Sequence, residues 1–202
     1  MQIFFSPASP YVRKCMVVAH ELGLADRLQK LSSAANPVTR DQSIVAKNPL
    51  GKVPTLLTDD GLALYDSRVI CEYLNDLGRG ELSPSSGPMR WEILTQQSLG
   101  DGMLDAALLA RYEVAMRPEP LRWAQWSAGQ MEKIHSGLAH IEQHASAWGQ
   151  QFDLGKITLG CALGYLDFRF ASLDWRSQYP KTAAWFAALS TRPSMKATVP
   201  VA

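Results

Sequence analysis

One feature of this sequence constrains its fold more than any other: the chain changes character at residues 78–87. That stretch, GRGELSPSSG, carries Gly, Ser and Pro without apolar periodicity, as a linker does. Before it, short strand-like runs alternate with helical patterns; after it, every periodic segment reads as helix. A chain of this kind folds as an α/β unit over 1–77 followed by an all-α bundle over 88–202.

The first part reads β-α-β-α-β-β-α. Gln2–Phe5 is a strand candidate. Pro10 opens a helix that carries apolar residues at Val12, Met16 and Ala19 and stops at Gly23. A weak strand near 28–31 and a short helix near 39–46 follow. Val53–Leu57 and Leu62–Leu64 form a hairpin around the Asp59-Asp60-Gly61 turn, and Asp66 starts a helix with Val69, Ile70, Tyr73, Leu74 and Leu77 along one face. In the second part, helices are expected from Pro88 to about 117, from about 119 to 148, from about 157 to 173 and from about 180 to 191. The third, whose only charges are Asp167 and Arg169, belongs at the centre of the bundle.

Composition narrows the partners. With 202 residues, 47% hydrophobic and 19% charged, the chain can bury a core. Residues 1–80 hold nine Lys/Arg against eight Asp/Glu and residues 81–202 hold eleven against eleven, so neither nucleic acid nor an anionic membrane is indicated. Cys15, Cys71 and Cys161 are odd in number and widely spaced, which fits neither a disulfide framework nor a metal cluster. No apolar run approaches the ~18 residues of a membrane span, and the N-terminus lacks a signal-peptide core, so a cytoplasmic protein without metal is expected.

Three places could carry chemistry. Ser9-Pro10 lies where the first strand gives way to a helix, with Ser9 as N-cap and Pro10 in the first turn, so helix N–H groups and the positive end of the dipole meet at Ser9. An anion is welcome there, although a Ser-Pro pair by itself needs to be no more than a cap. In Lys52-Val53-Pro54 a proline interrupts a strand-like run; a cis bond would leave Val53 free to pair with an extended peptide, whereas an edge strand or turn is the plainer account. At Asp66-Ser67 a hydroxyl and backbone N–H groups can take a carboxylate and a side-chain carboxylate can take an ammonium, or the pair can simply cap a helix. Together the three call for a ligand with carboxylate and ammonium at one end, a peptide in the middle and an anion at Ser9. Glutathione has that shape.

The order SPASPYVRK, NPLGKVPTL, hairpin, DSRVICEYL and an all-helical second half resembles the glutathione S-transferases, over essentially the whole chain. The resemblance implies a thioredoxin-like first domain, Val53 pairing with the cysteinyl backbone of glutathione before a cis Pro54, Asp66 and Ser67 holding the γ-glutamyl end, and Lys52 near the glycyl carboxylate. Ser9 then matches the catalytic position of the bacterial serine-type members. It also implies a homodimer and a small apolar electrophile bound between the domains, for which Met103, Leu104, Ala107, Leu108, Arg111 and Tyr112 are wall candidates. Asp101 is a candidate to reach the glutamyl ammonium across a dimer.

Serine at this position selects the chemistry. It is too weak an acid to exchange disulfides, and Val12 stands where a second redox cysteine would. A hydrogen bond from Ser9 to the thiolate is within its means. Lowering a thiol pKa of about 8.5 by two units takes ~2.7 kcal/mol, against up to ~2 from a helix N-terminus and ~1.5–3 from a bond to a charged acceptor. No histidine among His20, His135, His140 and His144 falls in the proposed site. Conjugation of glutathione to an electrophile, a detoxifying transferase activity, is therefore expected. A glutathione-dependent isomerase, dehalogenase or peroxidase shares the first half-reaction, and a non-catalytic relative would share only the fold.

One departure from the family pattern concerns the central helix of the second half. Asp153-Leu154-Gly155-Lys156 stands where the family usually has a Ser/Thr cap followed three residues on by Asp. Asp153 can cap, but Lys156 brings a positive charge to the positive end of the helix, an unfavourable sign by roughly 0.3–1 kcal/mol. On this reading Lys156→Asp raises the melting temperature.

Overall fold

The computed structural model describes residues 1–149 and 151–201; positions 150 and 202, both within the expected helical domain, lie outside the described residues. The chain divides into two compact units. One comprises residues 1–90 together with the segment from Pro193 onward, the other Trp91–Arg192.

The first unit is a four-stranded mixed sheet with helices. β1 (Gln2–Phe5) leads to α1 (Pro10–Glu21) and returns to β2 (Gln29–Ser32), which pairs parallel to β1; α2 (Gln42–Val45) follows. β3 (Thr55–Leu57) and β4 (Ala63–Leu64) form the expected hairpin, and α3 (Ser67–Leu77) closes the series. The strand order is β2-β1-β3-β4, with β3 antiparallel to both neighbours. Ile3, Leu56, Val17, Val18, Ile70 and Leu74 build the core from the sheet, α1 and α3. α1 stops where its sequence says it should: Gly23 has φ +67°, the N–H of Gly23 donates to His20 O and that of Leu24 to Ala19 O, the paired bonds of a Schellman ending.

The domain boundary at the far end differs from the sequence reading. Residues 88–202 do not form one helical domain, because the last helix, α9 (Pro193–Ala197), packs on α1. Arg13 Nη2 donates to Met195 O at 3.3 Å, Ser194 Oγ donates to Glu21 Oε1 at 2.5 Å, and Met195 is buried.

The second unit is helical: α4 (Pro88–Ala115), whose first turn lies at the unit boundary, α5 (Ala124–His144), α6 (Leu154–Arg169), α7 (Trp175–Gln178) and α8 (Pro180–Leu189). Several of the expected boundaries shift, with α5 ending at His144 and α6 at Arg169. The helix expected from about 119 begins only at Ala124; Glu119–Leu121 is a 3-10 turn, and the N–H of Trp123 is taken by the Glu113 carboxylate at 2.7 Å. The central helix starts three residues earlier than expected, at Leu154. Every residue of α6 from Leu154 to Leu166 is buried, as its near-absence of charge demands. α4 and α6 come together at glycines: a Cβ on Gly100 would lie 2.9 Å from Thr158 Cγ2, and one on Gly155 would lie 2.7 Å from Gln96 Cβ. The contacts advance together along both chains, from Gln96 with Gly155 to Gly100 with Thr158 and Leu159, so the two helices run parallel.

The start of α6 corrects the expectation for Lys156. Asp153 caps the helix by accepting from the Lys156 N–H at 3.0 Å, and its other oxygen pairs with the Lys156 ammonium. The lysine charge is thus held by the capping carboxylate rather than left to the dipole. Among the described residues, no helix is long and apolar enough to cross a membrane.

Candidate functional site

Strand register collects the three motifs of the first unit at one end of its sheet. Phe4 of β1 sits opposite Thr55 of β3, so the chain leaving β1 toward Ser9 passes the chain entering β3 from Val53-Pro54. Leu56 sits opposite Leu64 of β4, so the chain leaving β4 toward Asp66-Ser67 arrives at that same end. Sequence separation of nearly sixty residues is removed by two antiparallel pairings.

Ser9 is the N-cap of α1, with extended backbone and a half-buried side chain. Its Oγ accepts from the Val12 N–H at 3.3 Å, and its own N–H donates to Ser6 O at 3.1 Å. In that bond the oxygen only accepts, so the hydroxyl proton of Ser9 remains available to an acceptor placed before the helix.

The Val53-Pro54 peptide bond is cis. Among the described residues, neither the N–H nor the C=O of Val53 enters a hydrogen bond. The loop that presents it is held by a residue the sequence reading passed over. Asn48 is buried; its Nδ2 donates to Thr55 Oγ1 at 2.9 Å and to Lys52 O at 3.4 Å, and its Oδ1 accepts from the Leu50 N–H at 3.0 Å. Thr55 Oγ1 in turn donates to Lys52 O at 2.8 Å. The Asn48-Pro49 pair, six to seven residues before β3, is the available signal, since Asn side chains fold back on nearby backbone in such turns. Lys52 itself is exposed.

Asp66 caps α3 by accepting from the Arg68 N–H at 2.9 Å, and the Tyr65–Asp66 bond is also cis, which no sequence signal announced. Ser67 is only 2% exposed. Its carbonyl accepts from Cys15 Sγ at 3.8 Å, and Cys71 Sγ lies 3.9 Å from Cys15 Sγ, so two buried thiols support the first turn of α3 from below.

The electrophile candidates all lie on α4 of the second unit. Met103, Leu104 and Ala107 are buried, and Met103 lies against Gly137 of α5, which makes them packing groups of the helical unit. Leu108, Arg111 and Tyr112 are half-buried. Asp101 is 1% exposed and engaged within the chain. Beside Arg111 lies a residue the reading missed. The Tyr165 phenol of α6 is 3% exposed; burial raises its pKa above the ordinary tyrosine value, while the Arg111 guanidinium facing it opposes that rise. Helical spacing places Tyr165 on α6, but nothing in a single sequence says that α4 delivers an arginine to it.

The chain resembles known proteins throughout. Residues 8–77 match the family model described as glutathione S-transferase, N-terminal domain, and residues 124–188 match that for the glutathione S-transferase C-terminal domain. The uncharacterized GST-like protein YibF of Escherichia coli (strain K12) is 30% identical over 205 residues, covering 99% of this chain and 98% of the relative. A glutathione transferase family member from Pseudomonas fluorescens Pf-5 with bound glutathione is 46% identical, with TM-score 0.97 over 100% of this chain and 99% of that one. Its structure with bound S-(propanoic acid)-glutathione aligns with TM-score 0.92 at 45% identity over 100% of both chains.

Proposed function

The chain belongs to the glutathione S-transferase family, and on that basis we propose that it binds glutathione at the Ser9 end of its sheet and transfers it to an electrophile with an apolar body. The observation that carries this reading is the unpaired backbone of Val53, which offers one donor and one acceptor to an extended peptide at the sheet end where Ser9 and Asp66-Ser67 also arrive. In this reading Val53 pairs with the cysteinyl backbone, Ser67 and the first turn of α3 take the γ-glutamyl carboxylate, Asp66 takes its ammonium, and Lys52 lies near the glycyl carboxylate. The relative from Pseudomonas fluorescens holds glutathione in one structure and a glutathione thioether in the other, which supports both the ligand and the product class.

The chemistry follows from the position of the hydroxyl. The thiol proton of glutathione passes to solvent, and Ser9 Oγ–H donates to the sulfur that remains, aided by the N-terminal N–H groups of α1. The thiolate attacks the electrophilic carbon, a C–S bond forms, and the leaving group departs with its electron pair. No general base is required when the thiolate is already the resting form.

We propose further that the protein acts as a cytoplasmic homodimer. The face on offer is the groove between α4 and α5, about 680 Å³, lined by Trp91, Leu94, Thr95, Ser98, Leu99 and Lys133, in which Trp91 is exposed.

The test of the main reading is retention on immobilised glutathione, combined with the ultraviolet absorbance of bound thiolate near neutral pH. Binding with thiolate absorbance is expected; binding in which the thiol stays protonated below pH 8 removes the role given to Ser9. Turnover is then screened with conjugation, peroxidase and dehalogenation substrates, using Ser9→Ala as the control.

A further inference from the structure

α5 ends in the sequence His140-Ile141-Glu142-Gln143-His144. Residues four apart on an α-helix lie one above the other, about 6 Å along the axis, so the two histidines share a face. Both are exposed, and their rings stack with centroids 4.3 Å apart and planes inclined at 28°.

His144 is held in one tautomer. Its Nδ1 lies 2.7 Å from the carbonyl oxygen of His140, and a carbonyl only accepts, so Nδ1 carries the proton and Nε2 of the neutral ring carries the lone pair. Among the described residues, the His144 Nε2 and both ring nitrogens of His140 have no hydrogen-bond or ion-pair partner. An imidazole whose second nitrogen donates to a backbone carbonyl is the usual support behind a metal-ligating histidine, because it fixes the ring and makes the other nitrogen more basic. His144 is also the last residue of α5, where the partial negative charge of the helix end favours a cation.

The residues between the two histidines define what such a site can do. Glu142 is committed to the N-terminus of α8, where it accepts from the Lys181 and Thr182 N–H groups and from Thr182 Oγ1. The spacing is therefore that of a helical metal-binding pair without the glutamate at its second position that serves metalloproteases as general base, which suits holding an ion and not hydrolysis. Among the described residues, no group of three His, Cys, Asp or Glu able to hold a metal forms, and Cys15, Cys71 and Cys161, stronger ligands for soft metals, are all buried.

We propose that His140 and His144 form a chelating site on the surface of α5 for a divalent first-row transition-metal ion, copper(II) above all. The remaining coordination positions go to water or to a ligand from outside the chain. Metal–nitrogen bonds of about 2.0–2.1 Å set the two nitrogens roughly 3 Å apart. From the stacked arrangement this takes a turn of the His140 ring about its terminal torsion, which is soft, while the carbonyl holds His144 in place. Two imidazoles without a carboxylate select copper, nickel and zinc over magnesium and calcium. The plainer role, a favourable charge at a helix C-terminus, accounts for His144 but not for the ring of His140 stacked upon it. The site is independent of the glutathione-transfer reading.

The test is calorimetric titration of the full chain, without a polyhistidine tag and without glutathione, using the chlorides of copper(II), nickel(II), zinc(II) and magnesium. One copper ion per chain is expected, with nickel and zinc bound more weakly and magnesium not at all. His140→Gln and His144→Gln are each expected to weaken copper binding about tenfold or more, while His20→Gln and His135→Gln leave it unchanged. Electron paramagnetic resonance of the copper complex is expected to show two equatorial imidazole nitrogens, falling to one in either variant. Circular dichroism checks that these exposed substitutions keep the helix. Absence of saturable copper binding up to about 1 mM overturns the site. Binding that survives both substitutions, as attachment to the amino terminus would, or an equal loss in the His20 or His135 variant overturns it as well.

Discussion

One carboxylate serves both ends of a single residue: Asp153 accepts from the backbone N–H of Lys156 at 3.0 Å and pairs with its ammonium, with the two residues 1% and 5% exposed. Removing either partner leaves the other charge buried and unmatched, which costs ~3–5 kcal/mol. Lys156→Asp, which dipole reasoning alone favours, places two buried carboxylates at adjacent positions. It is expected to lower the melting temperature and shift the urea midpoint by that order. A rise in melting temperature returns the argument to the dipole.

α8 is capped from outside its own sequence. Glu142 of α5 accepts from the N–H groups of Lys181 and Thr182 at 3.0 and 2.8 Å and from Thr182 Oγ1 at 2.8 Å. Burial works to raise its pKa, but these bonds outweigh it and hold the carboxyl below the usual glutamate value. Because the folded pKa is depressed, the stabilisation is present above the unfolded value of about 4.3 and is lost as pH falls through the folded one. Glu142→Ala is expected to cost ~0.5–2 kcal/mol near neutral pH, as loss of a helix cap does, and to flatten the acid limb of the stability curve. Equal acid limbs in the two proteins would remove Glu142 from the account.

Ser9 has two roles that glycine can separate. As an N-cap, serine is replaced by glycine at a cost of a few tenths of a kcal/mol and by alanine at ~0.5–2 kcal/mol. Neither replacement can donate to sulfur. Ser9→Gly is therefore expected to keep near-normal stability while the pKa of bound glutathione rises by about one to two units, the worth of one bond to a charged acceptor. The measurement is thiolate absorbance against pH, set beside thermal melts of the three proteins.

Asn48 positions Val53 without touching the ligand. Asn48→Ala leaves Lys52 O and Thr55 Oγ1 short of a buried donor, at ~1–3 kcal/mol. If Val53 is the peptide-pairing element, KM for glutathione rises severalfold while the pKa of the bound thiol stays put. An equal fall in kcat with KM unchanged points instead to a general loss of fold.

Trp91→Glu tests the proposed dimer face. A charge at this exposed position in the α4–α5 groove is expected to turn the dimer into a monomer by light scattering, with the helical circular dichroism intact.

What the sequence discloses here is local chemistry, and what it hides is register and return. Ser9, Val53-Pro54 and Asp66-Ser67 each announce themselves through caps and a misplaced proline, and two antiparallel pairings bring them to one end of the sheet. Trp123 hides the start of α5, because its N–H goes to Glu113, ten residues back. Tyr165 falls at ordinary helical spacing, and its burial beside Arg111 of α4 is something a single sequence does not encode visibly. Dipole reasoning fails for Lys156 because it treats the charge as isolated, whereas the capping Asp153 supplies the counter-charge.

The contact of Arg13 with the carbonyl of Met195 bears on biosynthesis. The sheet-bearing unit is discontinuous, with Trp91–Arg192 inserted between its main body and its last helix. On the ribosome, residues 1–90 emerge first, yet the surface of α1 that α9 covers stays open until more than a hundred further residues have been made. The helical unit thus completes its own sequence before the unit that precedes it can close.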